Sequence, residues 1–272
     1  MTDYSISATL YGDNSHASIS SIAVSPQLSF SHIKAASHFA KLSYEIEDKY
    51  DDSKYSSELF DEHRSYVIGS IITTVCYLEA TINELFTNVV DGNYSNDLNP
   101  NAIAVMTKMW KLEIKPPNKT QTEKTYTPLD DLKPSILQKF QIALTLADKD
   151  LFNTGHDPYQ NVDYLIRLRN DLIHYKPERI GTGKIYDKTN SEQLRKKLEN
   201  KIKTLNPMRR EGNVFFPHQC LGYGCAKWAV ESSVKFSDEF FSKIGLPSNL
   251  DQNYQLSLQL PDLENRKSSG CT

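Results

Sequence analysis

The segment from Asp61 to Val90, DEHRSYVIGSIITTVCYLEATINELFTNVV, constrains the fold more than any other. Its isoleucines, valines, leucines and phenylalanine recur every three or four positions, the period of a helix with one buried face. At about 100° per residue from Val75, the residues Ile68, Ile71, Ile72, Leu78, Ile82, Leu85, Phe86 and Val89 share one arc. The spacing predicts a helix of about eight turns, ended by Asp91-Gly92. Two charges break the pattern differently. Glu84 falls opposite the arc and is expected in solvent, whereas Glu79 falls inside it.

The remaining segments supply neighbours for this helix. Residues 31–50 read as an amphipathic helix, 134–152 as another with Pro134 at its start, and 158–176 as a third that must end near Pro177. A polar, partly helical stretch follows. From Lys184 to Glu211 it carries nine Lys/Arg and four Asp/Glu. The last long helix spans HQCLGYGCAKWAVESSVKFSDEFFSKIG, with Cys225, Ala229, Phe236 and Phe240 on one stripe. A loop on each side brackets a short segment around Trp110. Short alternations rich in Ser and Thr in residues 1–30 predict one or two strands. The expected architecture is mainly α: an up-and-down helical bundle over 31–245, with a small N-terminal β appendage at 1–30 and a polar tail at 246–272 that frays over 257–272.

The bulk numbers narrow the setting. Of 272 residues, 39% are hydrophobic and 24% charged, with a net charge of −3. No run approaches the roughly 18 apolar residues of a membrane span, and the start lacks the basic and apolar regions of a signal peptide. Four scattered cysteines (Cys76, Cys220, Cys225 and Cys271) suit a reducing cytoplasm better than a disulfide framework. Near-neutral charge argues against wholesale coating of nucleic acid, but not against a local basic patch.

The chemistry concentrates in DYLIRLRNDLIHYKPE, residues 163–178. Leu165, Leu168 and Leu172 define a buried helix face, yet Arg169 falls within the same arc. A guanidinium keeps its charge, so its burial requires a carboxylate, a bound anion or a second subunit. Glu79 on the long helix is the expected partner, directly or through water. Asn170 and His174 lie four apart at the polar edge. An arginine, an amide and an imidazole within six residues form a set suited to phosphate groups and proton transfer.

RLRNDLIHY resembles the Arg-x4-His signature of the HEPN superfamily, here Arg169, Asn170 and His174. TTVCYLEATINELF resembles that family's first core helix, and CAKWAVESSVKFSDEF its closing one. The resemblance implies a metal-independent endoribonuclease of toxin, phage-defence or RNA-processing type, needing no cofactor. It further implies a homodimer with two motifs across a shared cleft, and a cognate antitoxin or defence-system partner. By the same resemblance His174 is the general acid/base, Arg169 binds the scissile phosphate, and Asn170 orients one of them. Lys176, Arg195, Lys196 and Lys197 are candidate RNA-binding residues in the basic region. The tyrosine expected two residues after the histidine is absent: Tyr175 follows His174 at once, and Lys176 holds that place. A second reading stays open, that of a non-catalytic HEPN dimer binding a protein or nucleotide.

Two lesser signals remain. His218, Cys220 and Cys225 lie close in sequence, but their spacing matches no zinc knuckle and the stripe favours packing for Cys225. His156, in the turn before the motif helix, is a further candidate to line a cleft.

Overall fold

The computed structural model describes residues 27–54, 56–94, 96–114, 134–175, 189–210, 213 and 215–262. Among them all regular structure is helical and no strand occurs. In chain order the α-helices are α1 (Leu28–Asp48), α2 (Ser57–Val90), α3 (Pro100–Ile114), α4 (Ile136–Leu146), α5 (Tyr159–Ile173), α6 (Thr189–Leu198), α7 (Tyr223–Ile244) and α8 (Gln252–Ser257). The expected β appendage falls mostly on residues 1–26, outside the described residues. Its last residues, 28–30, open α1 instead.

Helices α1, α2 and α7 form the centre. Ser29 bonds Glu84, Ser70 bonds Ala36 and His63 bonds Glu47, so α1 and α2 run antiparallel. Helix α4 caps this trio through Phe140, whose ring meets Phe236 and Phe240 edge-on at 4.9 and 4.7 Å. By length and composition alone α2 could cross a membrane, but half of its most apolar 18-residue window is buried by its neighbours.

Local chemistry sets the helix ends. Ser56 accepts from Leu59 N at 3.1 Å at the start of α2, and Asn99 accepts from Ala102 N at 2.7 Å ahead of Pro100. Helix α3 is fifteen residues long, more than the short segment expected around Trp110. Helix α4 begins one residue after Ser135, which forms a capping box with Gln138; Pro134 therefore precedes the cap rather than opening the helix. Gly245 ends α7 at φ +83°, where a side chain would be strained.

Glu84 is half-buried rather than solvated. Its two oxygens accept from the backbone N and hydroxyl of Ser29, at 2.9 and 2.5 Å, and so cap α1 from across the bundle. The tail also differs from expectation as far as Asp262. Leu250 and Leu258 are buried, and Ser37 and Tyr223 donate to the carbonyls of Leu258 and Pro261. Hydroxyl-to-carbonyl bonds of this kind hold a polar-looking segment against the core.

Candidate functional site at the end of α5

Helix α5 docks through Val162, Leu165 and Leu168, all fully buried. The expected helix ran to 176, but it ends at Ile173. His174 is the C-cap, at φ −101° and ψ 28°, with its N–H donating to the Asn170 carbonyl at 2.9 Å. The chain ahead of Pro177 leaves helical geometry earlier than proline sterics alone demand. Asn170 and His174 are both exposed and sit one turn apart. Lys176 lies outside the described residues.

Arg169 is half-buried, and its Nε is buried with no hydrogen-bond partner among the described residues. Glu79 is exposed, and no ion pair joins it to Arg169 among the described residues. The reason lies in α2. Its buried set includes His63, Ser70, Thr74, Tyr77 and Thr81, which rotates the buried arc by roughly 60° away from the Ile72–Glu79 edge at about 100° per residue. The hydroxyls among them are satisfied internally: Ser70 donates to Ala36 O at 2.9 Å, Thr74 to Ser70 O at 2.7 Å, and Asn249 joins Tyr77 and Thr81, whereas His63 is held through Nε2 alone, on Glu47. Glu79 and Arg169 nevertheless share a neighbourhood. Burial raises the Cys76 thiol pKa, the Arg169 charge lowers it, and the Glu79 charge raises it.

The basic region lies beside this helix. On α6, Arg195 and Lys196 are exposed, and Lys197 Nζ stands 5.3 Å above the Tyr164 ring of α5. Lys201 pairs with Asp157 at 2.9 Å, tying the turn after α6 to the chain entering α5. Burial of the lysine stem on the ring fixes α6 against α5 while its exposed cations stay in water.

The segment Phe215–Gln219 completes this end of the bundle. Phe215 is buried. The Phe216 ring meets Tyr175 at 6.2 Å, and the His218 ring stacks on Phe60 at 6.4 Å. Arg64 lies 5.1 Å over Phe60 and pairs with Asp61 at 2.6 Å. Burial, and then the charge of Arg64, hold the His218 pKa below its ordinary value. Asn206, itself buried, fastens the segment: its N donates to Gln219 O at 2.8 Å and its Nδ2 to Leu221 O at 3.0 Å. Its Oδ1 accepts from Met208 N at 2.9 Å, shaping the turn that carries the exposed Arg209 and Arg210.

No protein-family model, curated protein or solved structure matches this chain. Cys220 and Cys225 are fully buried, with burial pushing the first thiol up to about 12 and the second well above its ordinary value. His218 is half-buried, and no group of three metal-binding side chains occurs among the described residues. His156 is exposed ahead of α5, about 20 Å of helix away from His174 at about 1.5 Å per residue. The sequence alone pointed to neither Phe216 nor Arg64, and to Arg209 only as part of the basic stretch 184–211. The available signal was FFPH, two aromatic residues before a proline in an otherwise polar stretch.

Proposed function

We propose that this chain is a metal-independent endoribonuclease whose chemistry is carried by Arg169, Asn170 and His174. One observation carries the reading. Arg169 keeps a buried Nε donor without a hydrogen-bond partner among the described residues, within a turn and a half of the exposed imidazole of His174. An unsatisfied buried donor costs about 1–3 kcal/mol, a cost that a bound phosphate oxygen would offset. The resemblance to HEPN ribonucleases supports the same assignment.

In this reaction the ribose 2′-oxygen attacks the adjacent phosphorus while its proton passes to an imidazole. The bond to the 5′-oxygen breaks, and that oxygen leaves with a proton. The products are a 2′,3′-cyclic phosphate and a 5′-hydroxyl. One imidazole cannot give and take a proton in the same step, so a second copy of the chain would bring its own His174 to the shared cleft. Arg169 stabilises the charge on the phosphorane, and the exposed cations of α6 hold the flanking backbone.

The test is incubation of the purified chain with mixed tRNA, rRNA and mRNA in EDTA, followed by end-group analysis. Cyclic phosphate ends are expected, with His174→Ala lowering the rate by about 10²–10⁴-fold and leaving the fold intact. Absence of cleavage with natural partners present, or full activity in His174→Ala, would overturn the reading.

A further inference from the structure

The chemistry above uses no tyrosine or phenylalanine, yet the rings of Tyr175 and Phe216 meet where α5 ends. Tyr175 follows His174 directly and is 49% exposed. Its ring touches that of Phe216, and two residues later the half-buried His218 stacks on Phe60. The extended backbone at Phe216, φ −108° and ψ 131°, separates its ring from the buried Phe215 before it. Arg209 and Arg210 are exposed on the turn fastened to the same segment. Tyrosine this exposed gains little from burial, so packing alone gives no reason for the cluster.

Rings beside cations at the edge of a cleft match one ligand chemistry. Unpaired nucleobases stack on aromatic faces while their phosphates meet basic side chains. Bases within a duplex are already stacked on each other and cannot reach such a rim. A protein partner would instead call for a continuous apolar patch, and here arginines flank the rings.

We propose that Tyr175, Phe216 and His218 form a stacking rim for unpaired bases of single-stranded RNA, with Arg209 and Arg210 on the flanking phosphates. The strand then passes His174 with its backbone toward Arg169. This rests on the ribonuclease reading and narrows its substrate to single-stranded RNA. Lowered basicity keeps His218 neutral near neutral pH, so it acts there as a ring rather than as a cation.

The test measures binding of a fluorescein-labelled RNA of about twelve nucleotides, single-stranded or annealed to its complement, by anisotropy. The full chain carries His174→Ala so that the RNA stays whole. Tyr175→Ala and Phe216→Ala should each weaken single-strand binding about fivefold to a hundredfold. Tyr175→Phe should bind within twofold of its parent, and the duplex should bind more weakly and ignore these changes. Circular dichroism melts check that each variant is folded; if Phe216→Ala is not, Tyr175→Ala against Tyr175→Phe decides alone. Single-strand binding within twofold of the parent in Tyr175→Ala, equal binding of duplex, or no binding at all would overturn the proposal. Cleavage by the chain with His174 intact is scored on the same RNA. Ring-dependent binding without cleavage would retire the ribonuclease reading and keep the rim, whereas cleavage with ring-independent binding would retire the rim alone.

Discussion

Removing Glu47 should destabilise the bundle and loosen the end that bears the site. One buried oxygen of this carboxylate accepts from His63 Nε2 at 2.9 Å and from the Tyr223 backbone N at 2.6 Å. It thereby joins α1 and α2 and caps the first turn of α7, directly after the Phe215–Gln219 segment. Glu47→Ala strands two buried donors at about 1–3 kcal/mol each and opens a space that the fully buried His63 cannot fill. A loss of about 3–6 kcal/mol is expected, a large part of the roughly 5–15 kcal/mol that holds a typical domain. Urea unfolding followed by circular dichroism measures it through the midpoint at constant slope. Gly222 supplies a second arm. A Cβ there would lie 2.8 Å from Asn206 Cα and 3.0 Å from Glu47 Oε1, so Gly222→Ala should cost about 1–3 kcal/mol by overpacking. The double variant should lose less than the sum, because deleting the carboxylate removes one of the three close contacts, the other two being to the Asn206 backbone. A loss below about 1 kcal/mol for Glu47→Ala, or strict additivity with Gly222→Ala, would refute the reasoning.

Alkylation of the folded chain should spare Cys220 and Cys225, both fully buried, and reach Cys76. Arg169→Ala should slow the reaction at Cys76 and Glu79→Gln should speed it, since those charges act on its thiol in opposite directions; no change in either would separate the three residues. An NMR titration should place the His218 pKa below 6.5, and Arg64→Gln should raise it part of the way, burial being the larger cause. The folded chain then holds fewer protons than the unfolded one just below pH 6.5, so stability from His218 is present above that pH and is lost as the pH falls through the depressed value. Phe140→Ala, which empties a fully buried site between Phe236 and Phe240, should cost about 3–5 kcal/mol in the same urea assay. Replacing Arg195 and Lys196 by Gln should flatten the salt dependence of RNA binding by about 0.7 for each phosphate that is no longer neutralised; an unchanged slope would place the RNA elsewhere.

Strong periodicity made most of the helices legible in the sequence. The stripe of α7 and the docking leucines of α5 were readable because aliphatic and aromatic side chains have one favourable place to go. Polar residues were harder. Ser70, Thr74 and Thr81 lie outside the arc that the apolar residues of α2 define, yet each hydroxyl finds a partner inside the bundle, so burial costs them little. That shift left Glu79 on the surface, and it could not be seen from spacing alone. Glu84 misled in the opposite direction, because its role as a cap for α1 depends on Ser29, fifty-five residues away.

The site divides the same way. Arg169, Asn170 and His174 are neighbours in sequence, so one helix was enough to bring them together as candidates. The placing of Lys197 beside the first half of α5, and of Phe216 at its end, depends on contacts between distant segments, through Lys197 on Tyr164 and Tyr175 on Phe216. Sequence by itself determined which residues could carry the chemistry, because residue type sets charge, proton affinity and ring character. Tertiary structure decided what stands beside them, because only packing fixes which donor is left without a partner and which ring stays open to solvent.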